Sequence, residues 1–445
     1  MVQSRPNRRS SGQAISGDRC VSSDHPASTG RRRVHSLRRV CQEACGQSGG
    51  RWCKMKVCFV SCQYPPISRT YRRYQFAHLL QEGGCDVTVV AHGNMSTALG
   101  TFVEDPGTLP ADGPPVRRAK AIPWYLTGEL LSRSGVVACP YVNWVRPAVR
   151  VAAEIATGPA DVVCGIYPPV TNQIVAMRVA EQTGARLVLD FRDEYLGLTL
   201  GVRRRLAAKW QKRLLARADL VSVATEAIGD DFAATGLDRS RLHLTENGYW
   251  EAPDTIPAYE PGKTTRIVYI GAISGAQGVD VLVRAAERLR RDDPEKANQL
   301  EIAIYGPDTP HRRATLSGEL PAGVTYGGYL PAQDVGDRLL ASDVAFLSLS
   351  SERYAYAVPG KLYDYVAYGR PVLASLPQGS AQRLIERESL GWVTECGDIG
   401  GLAQMLARVT DPSQRQRAQA RVMDARPRHA AREHFLSLSR RIQSL

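Results

Sequence analysis

The residues best placed to do chemistry are Pro359, Gly360, Lys361 and Asp364, within the stretch AVPGKLYDYVAYGRPVLA (357–374). Pro359-Gly360 punctuates a helix start, and Gly369 with Pro371 closes the helix before an apolar strand begins at Val372. A helix N-terminus presents free backbone N–H groups and the positive end of its dipole. Lys361 sits there against the dipole preference, which favours anions at that end, so its placement is unfavourable until an anion is bound. Asp364 lies one turn on, on the same face, and suits the hydroxyls of a ribose. It is also an ordinary partner for the dipole, and Gly360 is also ordinary turn chemistry. An anion pocket beside a carboxylate fits a diphosphate attached to a hydroxylated sugar.

A second group lies in DFRDEY (190–195), where Asp193 is a candidate acid–base or acceptor-orienting residue and Asp190, Arg192 and Glu194 are its rivals. An internal Asp–Arg ion pair is the structural alternative. Upstream, Tyr64 and the run SRTYRRYQ (68–75) bring Arg69, Arg72 and Arg73 to one helix start. They suit an acceptor diphosphate or a solvated helix face, and the sequence leaves both open. Asn247-Gly248 reads as a turn at a domain junction, with a ligand contact as the alternative.

The elements that must position these groups follow from hydropathy. Apolar runs KVCFVS (56–61), DVTVVAH (86–92), DVVCGI (161–166), RLVLDF (186–191) and LVSVAT (220–225) alternate with helical stretches. A second series follows in RIVYIG (266–271), EIAIYG (301–306), VAFLSL (344–349) and PVLASL (371–376). Near-continuous apolar strands between helices predict parallel sheets covered on both faces, hence an α/β chain with two doubly wound domains. The Pro-rich segment 250–264 reads as the linker. The predicted organisation is a basic tail over 1–54, an N-terminal domain over 55–248, a junction and linker over 249–264, a C-terminal domain over 265–425 and a C-terminal helix over 426–445, free to pack back on the N-terminal domain. Ligands of such sheets bind beyond the carboxyl ends of the strands. Gly271, Gly306 and Gly327-Gly328 fall there and permit close approach to backbone.

Charge narrows the partners. The 445-residue chain carries +13, but residues 1–54 hold ten Arg and one Lys against Asp18, Asp24 and Glu43, so the tail takes +8 and the remainder +5. A mildly basic body argues against a nucleic-acid partner. The tail lacks apolar periodicity and a continuous apolar core, so it reads as a disordered arm rather than a secretory signal, with Met55 as an alternative start. The ten Cys are scattered without zinc spacing, so they are expected as free thiols in a reducing cytoplasm, with no metal. The helix GVRRRLAAKWQKRLLARADL (201–220) sets Leu206, Trp210, Leu214 and Leu215 among basic residues. Such a stripe packs on a sheet or lies on an anionic membrane, and its place before a strand favours packing.

From Met55 onward the chain resembles GT-B glycosyltransferases of the family 4 type. The resemblance rests on MKVCFVSCQYPP (55–66), RADLVSVAT (217–225), ENGYW (246–250), Gly271 to Asp280 (GAISGAQGVD), IYGPD (304–308), VTYGGYL (324–330), SDVAFL (342–347) and PGKLYDY (359–365), in order over about 390 residues. The AQG variant, DFRD and P-x-K-x-x-x-Y look most like bacterial surface-polysaccharide transferases of the fucosaminyl and colanic-acid type. The resemblance implies transfer of a sugar from a nucleoside-diphosphate sugar to an acceptor hydroxyl, retention of configuration, no metal or other cofactor, and reaction in a cleft between two Rossmann-like domains. It implies donor contacts at Gly271, Gly275, Gly306, Gly328, Pro359, Gly360, Lys361, Leu362 and Asp364. It places the acceptor by Tyr64, Arg69, Arg72 and Arg192, with Lys361 and Asp193 as catalytic candidates. The expected acceptor is a saccharide, a lipid-linked saccharide or a small molecule, and the expected location is cytoplasmic, with the inner membrane face as a possible surface. Many family members keep an Arg and a Lys where this chain has Ala272 and Gln277, and a Glu where it has Ala357. A small-metabolite transferase and a non-catalytic nucleotide-sugar-binding subunit are the alternatives.

Overall fold

The computed structural model describes residues 55–445 apart from 66–70, 94–112, 121–127, 129, 133, 135, 138, 197–200 and 317. The predicted tail and Arg69 lie outside the described residues. The chain forms two all-parallel sheets. The first runs in the order β3-β2-β1-β4-β5-β6-β7. Its strands are β1 (Lys56–Val60), β2 (Asp86–His92), β3 (Val116–Ala119), β4 (Val162–Tyr167), β5 (Arg186–Phe191), β6 (Leu220–Val223) and β7 (Leu242–Leu244). The second runs β10-β9-β8-β11-β12-β13. Its strands are β8 (Thr265–Ile270), β9 (Leu300–Tyr305), β10 (Val324–Tyr326), β11 (Val344–Ser348), β12 (Val372–Leu376) and β13 (Gly391–Glu395).

Both orders reverse beside the first strand, between β1 and β4 and between β8 and β11, which opens a crevice at the strands' carboxyl ends. The strands are apolar throughout because helices cover both faces. Val57 and Phe59 face one cluster with Phe76 and Leu80, while Cys58 and Val60 face another with Val145 and Leu187. Ile267 and Tyr269 of β8 likewise pack opposite Val268. The expected two-domain α/β architecture is therefore present. The strands without a predicted apolar run are β3, β7, β10 and β13, all at or next to sheet edges.

Six helices matter for the site or its support: α1 (Tyr71–Glu82), α2 (Val170–Thr183), α3 (Gly201–Arg217), α4 (Asp280–Asp292), α5 (Gly360–Ala367) and α6 (Ala431–Gln443). Leu214 and Leu215 of α3 are buried and Trp210 packs on the same core, so the apolar stripe faces the sheet. No helix among the described residues is long and apolar enough to cross a membrane. Cys58, Cys62, Cys85, Cys139 and Cys164 are buried and form no disulfide among the described residues.

The last helix crosses back onto the first sheet. Phe435, Leu438 and Ile442 of α6 share a core with Val57, Phe76 and Leu80, and the Phe76 and Phe435 rings lie 4.6 Å apart. The crossing is made where Tyr249 N–H donates to His429 O and Ala431 N–H donates to Tyr249 O. A Cβ on Gly248 would lie 2.5 Å from Ala431 N, so this position needs glycine. The linker is pinned as well. The fully buried Arg415 donates to Gly262 O, Thr265 Oγ1, Val409 O and Thr410 O, and its Nε lies 3.0 Å from the Tyr259 hydroxyl.

Candidate functional site

A cavity of about 360 Å³ lies between the carboxyl ends of the two sheets. Arg72, Arg73, Tyr167, Arg192, Asp193 and Asn247 line it from one side, and Ala357, Val358, Pro359 and Gly360 from the other.

The second-domain side is built on α5. Leu362, Tyr363, Tyr365 and Val366 bury one face of this helix, and the Tyr365 hydroxyl donates to Phe346 O of β11. That packing fixes the helix start at the cleft, with Pro359 as its cap residue. Leu362 therefore anchors the helix from the core rather than facing the cavity. The Lys361 ammonium donates to the Tyr269 hydroxyl at 2.9 Å and sits 4.1 Å from the centre of that ring. Tyr269 in turn donates to Ala272 O. No carboxylate lies within ion-pair distance of Lys361 among the described residues. Burial brings its pKa from 10.5 down to about 7, opposed by the Asp364 charge. Asp364 is exposed, yet nearby protein crowds its carboxyl and raises its pKa, against the pull of Arg72 and Lys361.

Two glycines allow this crowding. Gly271 has φ +150°, and a Cβ on it would lie 2.8 Å from Lys361 Nζ. A Cβ on Gly306 would lie 2.4 Å from Gly271 O, so the ends of β8 and β9 close together beneath the ammonium. Gly306 N–H donates to Gly328 O, and Gly328 itself faces open space. Gly275 lies in the loop between β8 and α4, held by Ser350 through the Gly275 carbonyl. Gln277, in the same loop, accepts from Ser274.

The first-domain side divides its charges into committed and free ones. Arg192 donates to both oxygens of the fully buried Asp190, to Thr245 O at 2.7 Å and to Ser222 Oγ. Its guanidinium stacks 4.9 Å from the Phe435 ring and 5.7 Å from Phe76. The ion pair foreseen as the alternative for DFRD is thus Asp190–Arg192. Arg73 is equally occupied, on Gln63 O, Gln63 Oε1 and Pro168 O. Asp193 has no hydrogen bond or ion pair among the described residues. Burial raises its carboxyl pKa, opposed by Arg192 and Arg73.

The structure brings Lys361, Gly271, Gly306, Pro359, Gly360 and Asp364 together, and of these Pro359 and Gly360 line the cavity with Arg72 and Asp193 of the first domain. Tyr64 stands apart, fully buried beneath α1, its hydroxyl without a hydrogen-bond partner among the described residues. Tyr269 was missed as a functional candidate, although it is the one aromatic in RIVYIG. Phe435 and Trp250 also line the cavity, brought there by the chain crossing at Gly248.

Residues 70–248 match a family model described as a glycosyl transferase 4-like domain, and residues 264–411 match one described as glycosyl transferases group 1. A probable glycosyltransferase, WbjE of Pseudomonas aeruginosa, is 24% identical over 144 residues, covering 32% of this chain and 35% of the relative. A D-inositol 3-phosphate glycosyltransferase of Salinispora arenicola is 28% identical over 196 residues, covering 42% of this chain and 38% of the relative. The chain thus spans little more than a third of the curated relatives it matches. Anabaena HepE, solved in complex with UDP and glucose, shares the fold with a TM-score of 0.61 at 15% identity, over 88% of this chain and 100% of HepE.

Proposed function

Since the chain belongs to the glycosyltransferases, with a 4-like domain followed by a group 1 domain in a GT-B fold, we propose that it transfers a sugar from a nucleoside-diphosphate sugar to an acceptor hydroxyl in the cleft, with retention and without a metal. The observation that carries this reading is Lys361, a crowded ammonium at a helix start whose hydrogen-bond partner is Tyr269 and which has no ion pair among the described residues. The donor diphosphate supplies the missing negative charge, held by Lys361 and by the free N–H groups of the first turn of α5. The C1–O bond to the diphosphate breaks and its electron pair passes to the departing phosphate oxygen. The acceptor oxygen bonds to C1, and its proton goes to that same phosphate. Stabilising the charge on the leaving phosphate is the protein's main contribution to rate, with positioning of both substrates.

Asp193 faces the cavity with its carboxylate free and orients the acceptor by accepting a hydrogen bond from it. Asp364 is placed for the donor ribose. The acceptor is a saccharide or lipid-linked saccharide of a surface polysaccharide or other glycoconjugate, met in the cytoplasm or at its membrane face. The name of the Salinispora relative keeps a small polar acceptor as the second reading.

The test is thermal stabilisation by UDP, GDP, dTDP, ADP and CMP, with chelator and then with magnesium, beside transfer assays. One diphosphate near a hundredfold excess over its Kd adds about 2.7 kcal/mol of stability. That gain should need no metal and should vanish in Lys361→Ala, whose turnover should fall about a hundredfold or more. Turnover of Lys361→Ala within about threefold of the wild type would overturn the reading.

A further inference from the structure

A diphosphate carries at least two negative charges, and the second domain offers little to meet them beyond Lys361. The loop from Gly271 to Gly278 contains no Lys or Arg. Arg284, just beyond it on α4, is paired with Asp280, while Arg312 and Arg313 are both paired with Asp308. Three arginines line the cavity from the first domain. Arg73 and Arg192 spend their donors on Gln63, Pro168, Asp190 and Thr245. Arg72 makes no hydrogen bond and no ion pair among the described residues.

Its position is specific all the same. A Cβ on Gly360 would lie 2.2 Å from Arg72 Nη2, 2.5 Å from Nη1 and 2.8 Å from Cζ. The guanidinium of a first-domain helix therefore rests on the first residue of α5, across the cleft. Gly360 leaves it that room. The contact sets a cation against the positive end of a helix, next to the Lys361 residue, which is unfavourable by itself. Asp364 is the nearby carboxylate whose charge reaches Arg72, without closing an ion pair. An anion in the cavity would turn this arrangement from repulsive to attractive.

We propose that Arg72 is a ligand of the donor diphosphate, so that the two domains clasp the phosphates between them, Arg72 from one side and Lys361 with the α5 N–H groups from the other. This rests on the donor site proposed above and moves Arg72 from the acceptor to the donor. The planar fork of Arg suits two phosphate oxygens at once. The donor then bridges the domains, and its binding favours the closed cleft.

Calorimetric titration of the full chain with the diphosphate and with the parent nucleoside tests it, using wild type, Arg72→Ala, Arg72→Lys and Lys361→Ala. Arg72 is exposed and has no hydrogen bond or ion pair among the described residues, so Arg72→Ala should melt as the wild type does. It should bind diphosphate about tenfold or more weakly, with nucleoside affinity unchanged, and Arg72→Lys should recover part of the loss. Diphosphate affinity within about twofold of a wild type that binds well would overturn the Arg72 assignment alone. So would an effect confined to the acceptor KM. A wild type that binds no diphosphate would instead remove the donor site beneath it.

Discussion

The two sides of the cleft hold their charges in opposite ways. On the first-domain side, most charges are consumed by the fold. Asp190 is fully buried and shared by Arg192 and Ser222, and Arg73 spends its donors on Gln63 and Pro168. On the second-domain side, Lys361 has only Tyr269, and Asp364 has no hydrogen bond or ion pair among the described residues. Asp190, near the end of β5, and Asp193, in the turn just after it, show the contrast within DFRD. The first is scaffold because its partners are built in. The second has no hydrogen bond or ion pair among the described residues, and in the proposed reading its partner is the acceptor. Residue type does not separate them; the state of their partners does.

The sharpest way to break this comparison is to remove the scaffold member. Asp190→Ala leaves the Arg192 guanidinium, only 14% exposed, against two phenylalanine rings with its charge unmet. Stripping one partner from a buried pair costs about 3–5 kcal/mol. The midpoint of chemical denaturation should fall accordingly, and an unchanged midpoint would mean that the first-domain rim is not held by this pair.

Asp193→Asn should behave in the reverse sense. Its carboxylate makes no hydrogen bond or ion pair among the described residues, so stability should stay within about 1 kcal/mol of the wild type, while transfer falls about tenfold to a hundredfold. The loss should appear with acceptor varied and not in diphosphate affinity. A destabilisation as large as that of Asp190→Ala would erase the distinction between the two residues.

The legible parts of the molecule are those whose cause is local. Interior strands such as RLVLDF and VAFLSL are apolar because both faces are covered, and they read directly. VRRA, LHL and GWVTE do not, because edge strands are short and need cover only part of their surface. Lys361 was legible from its helix start. The partner that crowds it, Tyr269, was not, since it lies on another strand at the same switch point. The chain crossing that brings Phe435 over Arg192 was legible as a last helix free to pack back and as a junction at Asn247-Gly248, but not as the close approach of Gly248 to Ala431 that makes it. Arg72 was visible as a cation, but no sequence spacing relates α1 to α5, so its contact with Gly360 could be read only from the fold. Tyr64 misled because a tyrosine after the first strand reads as rim, whereas the chain turns it under α1.

The finest comparison is between Lys361 empty and Lys361 occupied, and pH reads it. In the free protein burial lowers its pKa to about 7 from an ordinary 10.5. Between those values the unfolded chain holds a proton that the folded chain lacks, so stability should rise with pH across that window. Below about 7 both forms are charged and the full cost of the buried ammonium is present. A bound diphosphate favours the cation and raises the pKa. Binding above about pH 7 must then take up a proton, and affinity should fall as pH rises, by up to about tenfold per unit, until the bound value is passed. Titrations in buffers of different ionisation enthalpy measure that proton directly. Lys361→Met removes the ammonium while keeping the chain length, and should abolish both the uptake and the slope. The same uptake in wild type and Lys361→Met would place the titrating group elsewhere, on the phosphate itself or on Asp364, and would make the two sides of the cleft more alike than their hydrogen bonds imply.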